Sequence, residues 1–543
     1  MVFSRCILRH AEYVTRKSSA SGTRLKILEE LNRGDHARWL LFVVFYAIVA
    51  NLPFWTASPF LGLMRNGLFC LEYVGVGLLA LFLPRIVAGV LLLLAITADL
   101  IGGVSQTFYI SPAECLRSSS FLYLLSGTRL LMVAGVAILS LLVAAFAAFF
   151  PIEKIRDNHR LFAAMCLVAF AVVSLTADCV TMYLGTGRLP NPFRLSIPTD
   201  SAKLSYLEKL SFSRLPAIRL VRNEIRGNVV QALAAETDAS LVSSSTAVAV
   251  RSAGITVDES NRQKPNLVVV LVESWGLVGD SSIRGALAQP YFQPDLIARY
   301  EVSQGTVPFY GPTLAGEARE LCESKIGFHL LNASAQELQG CLPDRLVALG
   351  YHSIALHGMD GHMFNRLKWY RSIGFQERWF RDQFRQQGLP DCVGAFTGTC
   401  DAAIAEWIRS RLERQDENPN FVYWMTLNSH LPVPTPAPLA GGDSCSFAPL
   451  LSQQSAFCSW YQLVANVHHS VSKIAMSKLA RPTVFVIVGD HPPGFANPLL
   501  RGQFASEVVP YVVLVPRRDV RGASLSAGSH DRPPTAAARI GGN

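Results

Sequence analysis

The chain has 543 residues, half of them hydrophobic and only 16% charged, with a formal net charge of +9. So little charge is unusual for a soluble protein of this length and points to membrane spans. The basic excess is concentrated where it would set membrane orientation, so it is not read as a nucleic-acid footprint.

Residues 1–37 form a basic leader carrying Arg5, Arg9, Arg16, Lys17, Arg24, Lys26 and Arg33, with Arg38 just beyond. The region 38–184 then holds five apolar stretches, at about 38–55, 67–83, 86–104, 128–150 and 161–184, each close to the roughly 20 residues a helix needs to cross a bilayer. The first begins too late and runs too long for a cleavable signal peptide. The leader and the fourth connection, with Lys154, Arg156 and Arg160, belong in the cytoplasm by the positive-inside rule. An odd number of spans puts everything after residue 184 outside. Glu72 and Asp99 fall inside apparent spans, where a carboxylate is costly: they line a headgroup path, pair with each other, or mark a span boundary.

Residues 185–264 are a connector. Leu215, Ile218, Val221, Ile225, Val229 and Leu233 share one helical face, with Arg219, Arg222 and Arg226 turned away. Such a helix lies on the membrane surface or packs on the domain that follows. The stretch 239–254 has little periodicity and reads as a loose linker.

From 265 to 516 apolar β-branched runs alternate with helical patterns. LVVVLVE, HSIALHG, FVYWMTLNSH, TVFVIVGDH and YVVLVP are the strand candidates, the signature of an α/β domain with a mostly parallel sheet between helices. The fold class expected is thus α/β, a five-helix membrane domain followed by an external domain of this type. The tail, 517–543, reads as disordered. Cys322, Cys341, Cys392, Cys400, Cys445 and Cys458 all fall in the external domain. Outside the cell these six read as up to three disulfides, sequence neighbours pairing as 322–341, 392–400 and 445–458 among the possible connectivities. Their spacings lack the paired CxxC form of a structural zinc site.

Ligands of an open α/β sheet collect at the carboxyl ends of its strands. Glu273 ends the first strand and Asp490 and His491 end another, a carboxylate, carboxylate and imidazole set suited to Zn²⁺ or Mn²⁺. GPTLAGEAREL offers Thr313 on a turn before a helix; LHGMDGHMFNR offers His357, Asp360, His362 and Arg366; TLNSHLP offers His430. A threonine hydroxyl needs a metal or base before it can act as a nucleophile. The adjacent His468 and His469 point to different faces of a helix and are read as surface or packing residues.

VVLVESWG, GPT-x-x-GE, HG-x-x-x-x-x-FNR, NSHLP and GDHPP, in this order after five spans, resemble the membrane-anchored transferases of the alkaline phosphatase superfamily, whose external domain is sulfatase-like. The branch resembled is that of lipoteichoic acid synthase and the osmoregulated-glucan phosphoglycerol transferases, with phosphoethanolamine transferases as nearby relatives. The resemblance implies that Glu273, Thr313, Asp490 and His491 hold a divalent metal, Zn²⁺ or Mn²⁺, and that Thr313 carries a covalent phospho-headgroup. It further implies that His357, Arg366 and His430 contact phosphate and alcohol, with Asp360 and Phe364 as further substrate contacts. The lipoteichoic acid branch carries tryptophan at the position of Phe364 and an acidic residue at that of Met359. The function expected is transfer of phosphoglycerol from a membrane phospholipid to a glycan or lipid-linked sugar acceptor, with no nucleic-acid partner, at a bacterial inner (plasma) membrane crossed several times, the catalytic domain outside. The alternatives are phosphoethanolamine transfer to lipid A or a surface glycan, and phosphodiester or phosphate hydrolysis. CLPDR at 341–345 matches the C-x-P-x-R pattern of formylglycine sulfatases, but Thr313 already occupies the nucleophile's spacing and sulfatase activity is not expected.

Overall fold

The structure, a computed structural model, describes residues 35–63, 65, 68–125, 127–152, 155, 157–186, 244–252, 264–309, 311–434, 444–505 and 507–517. The basic leader before residue 35, Lys154, Arg156, the amphipathic pattern at 215–233 and the tail beyond 517 lie outside the described residues.

Among the described residues four helical stretches are long and apolar enough to cross a membrane, Ala37–Leu61, Arg85–Phe108, Gly127–Phe149 and His159–Ala177. The first consists of α1 (Asp35–Ala47), a 3-10 turn and α2 (Leu52–Leu61). The break falls next to Pro53, which has no amide hydrogen for the helical ladder. Where a second span was expected at 67–83, only α3 (Leu71–Ala80) forms, ten residues or about 15 Å, half a bilayer. Gly62, in the left-handed region at φ 68°, has already ended α2, and of the residues before α3 only 63, 65 and 68–70 are described. Side chains satisfy that backbone. Cys70 N donates to Asn51 Oδ1 at 2.8 Å, and Leu68 O accepts from Trp55 Nε1 at 2.8 Å and from Arg65. Non-helical backbone at bilayer depth is tolerated only with such internal partners. Asp99, inside α4 (Arg85–Phe108), accepts from Arg65 Nη1 at 2.6 Å and Tyr73 Oη at 3.0 Å; it is therefore paired, and not with Glu72. The bundle is completed by α5 (Pro112–Ser118), α6 (Gly127–Phe149) and α7 (Asp157–Thr186).

Part of the expected loose linker is a helix, α8 (Ser245–Ser252). Its Ala249 is buried in the hydrophobic core, and its first turn is held by one carboxylate. The buried Glu320 Oε2 accepts from Ser244 Oγ, Ser245 Oγ, Thr246 Oγ1 and Thr246 N at 2.8–3.0 Å, so a run that reads as low complexity is a ligand set for one carboxylate.

Beyond it the strands β1 (Asn266–Val272), β2 (Tyr300–Pro308), β3 (His352–His357), β4 (Glu377–Trp379), β7 (Asn420–Met425), β8 (Thr483–Gly489) and β9 (Val508–Pro516) form one sheet in the order β2-β9-β8-β1-β7-β3-β4; β5 (Asp391–Cys392) and β6 (Gly398–Thr399) make a separate pair. The five strands from β8 to β4 are parallel, while β9 runs antiparallel to both neighbours. Every residue of β1, β7 and β8 is buried. Alternate side chains serve opposite cores, Val268, Val270 and Val272 on one face and Leu267, Val269 and Leu271 on the other. The edge strand β2, YEVSQGTVP, escaped the sequence reading because most of it faces solvent and it has no apolar run.

Helix α9 (Thr313–Cys322) follows β2, α10 (Arg366–Ser372) follows β3, α11 (Asp401–Leu412) precedes β7 and α12 (Ser455–Met476) precedes β8. The disulfides are Cys322–Cys341, Cys392–Cys400 and Cys445–Cys458, closing loops of 19, 8 and 13 residues. On α12, His468 is wholly buried, its Nδ1 2.8 Å from Tyr291 Oη and its ring edge-on to Trp275 at 4.3 Å, a packing residue.

Burial lowers the pKa of His468 to about 3, so the folded state refuses a proton that the unfolded chain takes near pH 6.5. Above pH 6.5 the ring is neutral in both states and contributes nothing; as pH falls from 6.5 toward 3 stability is lost. In urea unfolding of the full chain in detergent, moving from pH 7 to pH 5 is expected to cost the wild type ~2 kcal/mol more than His468→Gln. Equal losses would show that the ring is protonated in the fold.

Candidate active site

Parallel in-register pairing delivers the site. Val272 of β1 lies opposite Gly489 of β8, and Leu271 opposite Met425 of β7, which itself faces His357 of β3. The residues that follow, Glu273, Asp490 and the loop 426–430, therefore emerge side by side at one edge of the sheet. Gly489 is required here, because a Cβ would lie 1.9 Å from Trp275 O. The chain turns sharply after Glu273 through Ser274, a non-glycine residue at φ 57°. Three bonds hold that conformation: Ser274 N donates to Asp490 Oδ1 at 2.7 Å, Ser274 Oγ to Glu273 Oε1 at 2.8 Å, and Trp460 Nε1 to Ser274 O at 2.8 Å.

Glu273, Asp490 and His491 are all buried, each with a ligand atom within 4.8 Å of the others'. His491 Nε2 lies 3.4 Å from Glu273 Oε1 and 3.3 Å from Asp490 Oδ2. Its Nδ1, 2.9 Å from the Pro492 carbonyl, must carry the hydrogen, since a carbonyl only accepts; the Nε2 lone pair then faces the carboxylates. Thr313, the first residue of α9, places Oγ1 3.3 Å from Glu273 Oε2 and 3.4 Å from His491 Nε2. The start of a helix favours an anion beside that hydroxyl.

Two buried carboxylates this close repel. Burial and then the Glu273 charge push Asp490 up, and Asp490 Oδ2 accepts no hydrogen bond. Burial opposes charge on His491, yet Asp490 and Glu273 outweigh it and raise its pKa. An unsatisfied carboxylate oxygen, a second carboxylate and an oriented imidazole fit a divalent cation.

Around this cluster the side chains differ in kind. Arg366 is buried, and its Nε and Nη2 donate to Glu317 Oε2 at 3.1 and 2.9 Å. Glu317 Oε1 accepts from Tyr370 Oη and Tyr423 Oη at 2.5 and 3.3 Å. Burial opposes the Arg366 charge, but Glu317 holds its pKa above the ordinary arginine value. Burial, then Arg366, keeps the pKa of His357 well below 6.5, and its Nδ1 lies 3.2 Å from Met425 O. Burial, then His491, lowers His430 to about 4; its Nδ1 bonds Leu431 O at 2.7 Å, leaving Nε2 as a base. The buried Asp401 fixes the turn leading to His430 by accepting Leu427 N and Asn428 N at 3.1 and 2.8 Å.

Thr313, Glu273, His357, Phe364, Arg366, His430 and His491 share one cavity. Asp360 does not line it. Asp360 Oδ1 lies 2.8 Å from both His362 N and His362 Nδ1, within its own loop. Cys341 is disulfide-bonded to Cys322 and cannot be a formylglycine precursor. Sequence reasoning quoted Glu317 within GPT-x-x-GE without a role; its position one turn after Thr313 on α9 was the available signal.

The apolar helices complete the cavity, which no sequence pattern announced. Phe108, at the end of α4, stacks on His430 at 6.0 Å, and Tyr109 sits 5.7 Å from His491. Arg501 covers the Tyr109 ring at 4.4 Å and donates to Gln106 O at 2.7 Å, fastening α4 to the sheet edge.

A mostly parallel sheet with a carboxylate, carboxylate and histidine cluster beside a helix-terminal hydroxyl defines an enzyme of the alkaline phosphatase superfamily. The Sulfatase family model matches residues 265–537, just over half of the 543-residue chain, and the chain belongs to that family. Among solved structures it is similar to the lipoteichoic acid synthase LtaP from Listeria monocytogenes (15% identity over 50% of this chain and 71% of that one, TM-score 0.36). It is also similar to the Streptococcus pyogenes phosphoglycerol transferase GacH in complex with sn-glycerol-1-phosphate (15%, 50% and 77%, TM-score 0.33). A third similar structure is the C-terminal periplasmic domain of EcEptC from Escherichia coli in complex with Zn (13%, 48% and 75%, TM-score 0.31). No curated protein sequence matches the chain.

Removing Glu317 leaves Arg366 buried without its counter-charge. Glu317→Ala is expected to cost about 3–5 kcal/mol in urea unfolding, and Glu317→Gln, which retains the tyrosine contacts, less. A loss below ~1 kcal/mol in the alanine variant would mean that Arg366 finds another partner.

Proposed function

We propose that the protein is a metal-dependent transferase that moves a phospho-headgroup, phosphoglycerol, from a membrane phospholipid through Thr313 to an acceptor hydroxyl on a glycan or lipid-linked sugar. The observation that carries the reading is Thr313 Oγ1, at 3.3 Å from Glu273 and 3.4 Å from His491 at the start of α9, in a cavity walled partly by apolar helices. Those helices anchor it in a bacterial plasma membrane, crossed several times, with the catalytic domain outside.

Glu273, Asp490 and His491, with Thr313, would hold the cation, Zn²⁺ or Mn²⁺. Once bound, such an ion acidifies a nearby hydroxyl and offsets charge on phosphate oxygens. Thr313 Oγ1 attacks phosphorus and the bond to the diacylglycerol oxygen breaks. His430, neutral at physiological pH, takes the threonine proton and returns it to the departing alcohol. In the second half an acceptor hydroxyl attacks the phosphothreonine, its proton goes to His430, and Thr313 recovers a proton as it leaves. Arg366 and His357 orient the phosphate oxygens, and the Glu317 pairing fixes the guanidinium in advance. Phe108 and Phe364, lining the cavity, keep water from the intermediate.

Thr313→Ala is expected to bind metal and lose turnover by about 10³-fold or more, and intact-mass analysis after incubation with phosphatidylglycerol is expected to give an adduct on wild-type Thr313 and none on the variant. Removing metal with a chelator is expected to abolish the adduct, with re-addition restoring it. Undiminished turnover in Thr313→Ala would overturn the mechanism; rapid water-only release of the headgroup in the presence of acceptor would move the reading to a hydrolase.

A further inference from the structure

We propose that Arg129 selects the donor headgroup by charge, admitting an uncharged polyol such as glycerol and rejecting a cationic amine such as ethanolamine. This rests on the headgroup-transfer reading above. Arg129 belongs to the first turn of α6, in the apolar helical part of the chain, yet it lines the cavity that holds Thr313. Its guanidinium carbon lies 5.8 Å from the centroid of Phe396, another wall residue. Arg366, also in that wall, lies 5.3 Å over the ring of Phe364. Two guanidinium groups, one from each part of the protein, thus border the same space.

An ammonium entering there needs a counter-charge, hydrogen-bond acceptors or an open aromatic face. Among the described residues lining the cavity, Glu273 is the only carboxylate, and it belongs to the proposed metal cluster. Of the other acids around the cavity, Asp490 belongs with Glu273 to the proposed metal cluster, Glu317 is bound to Arg366, Tyr370 and Tyr423, Asp401 to the amides of 427 and 428, and Asp360 to His362. Of the five phenylalanines lining the cavity, Phe364 and Phe396 each carry a guanidinium, Phe108 is stacked on His430, and Phe121 and Phe328 pack edge-on against Phe364.

The hydrogen-bonding inventories point the same way. Guanidinium and ammonium groups are donors without acceptors, so an ethanolammonium would set donor against donor as well as charge against charge. Glycerol hydroxyls accept from a guanidinium at no electrostatic cost. Discrimination of this kind is built by repelling the wrong partner as much as by attracting the right one.

A tether unites the two parts of this wall. Phe121, in the segment between α5 and α6, packs on Phe364 at 5.4 Å, so the helical part and the loop carrying Arg366 are positioned together.

The test compares diacylglycerol release by the metal-loaded full chain in vesicles of phosphatidylglycerol and of phosphatidylethanolamine. The wild type is expected to prefer phosphatidylglycerol by about tenfold or more, a difference of about 1.4 kcal/mol. Arg129→Glu is expected to erase or invert the preference, and Arg129→Lys to keep most of it. Because the ratio is read within one preparation, a variant that folds poorly loses both rates and leaves the ratio interpretable. A wild type that prefers phosphatidylethanolamine, or an Arg129→Glu ratio equal to the wild type's, overturns the selection while leaving headgroup transfer intact. Release from neither lipid overturns the transfer reading and the selection with it.

Discussion

The in-register contact of β1 with β8 forces the ends of two buried strands together, and with them Glu273 and Asp490. Two carboxylates out of water at this separation are not a stable arrangement by themselves. Ser274 and its three hydrogen bonds, the oriented His491 ring and the proximity of Thr313 are all consequences of holding that pair in place. A cation relieves the repulsion, so the same geometry that threatens the fold creates a demand for metal. Coulombic effects of this kind are large inside a protein and small at its surface, which is why the cluster has to lie at a covered sheet edge.

Buried ion pairs recur away from that cluster, and each holds a functional element rather than adding much stability of its own. Arg366 with Glu317 pre-aims a guanidinium into the cavity. Arg319 with Glu320 locks α9 to α8, with Arg319 Nη2 also donating to Gly489 O at 2.7 Å, beside the metal-cluster strand. Arg65, between α2 and α3, is tied to Asp99 of α4. The Arg366–Glu317 and Arg65–Asp99 pairs join segments distant in sequence, whereas Arg319 and Glu320 are neighbours on α9 and reach beyond it through Gly489 and the Ser244–Thr246 run.

The apolar helices act as more than an anchor, because α4 ends against the sheet edge. Phe108 and Tyr109 touch His430 and His491 in the cavity that holds Thr313, and Arg501 reaches back to α4. The bundle therefore supplies part of the wall of the cavity that holds Thr313.

Much of this was legible in the sequence. Uninterrupted β-branched runs ending in Glu273, in Asp490 and His491, and in the segment leading to His430 marked buried parallel strands with polar ends, since burial on both faces leaves no room for polar residues within the run. Neighbouring external cysteines likewise read as disulfide partners. Pattern could not show what depends on a partner elsewhere in the chain. The polar edge strand β2 exists because β9 pairs with it, the serine and threonine run at the start of α8 is held by Glu320, and Leu68 before α3 is bonded by Trp55 of α2. Nor could pattern show that Asp360, grouped by motif with Arg366, accepts from His362 N in its own loop. By itself the sequence determined which residues are buried and where the polar strand ends fall, because periodicity records burial; tertiary structure alone decided that Glu317 sits behind Arg366 and that Phe108 and Arg129 face Thr313's cavity, because convergence of distant segments leaves no local periodicity.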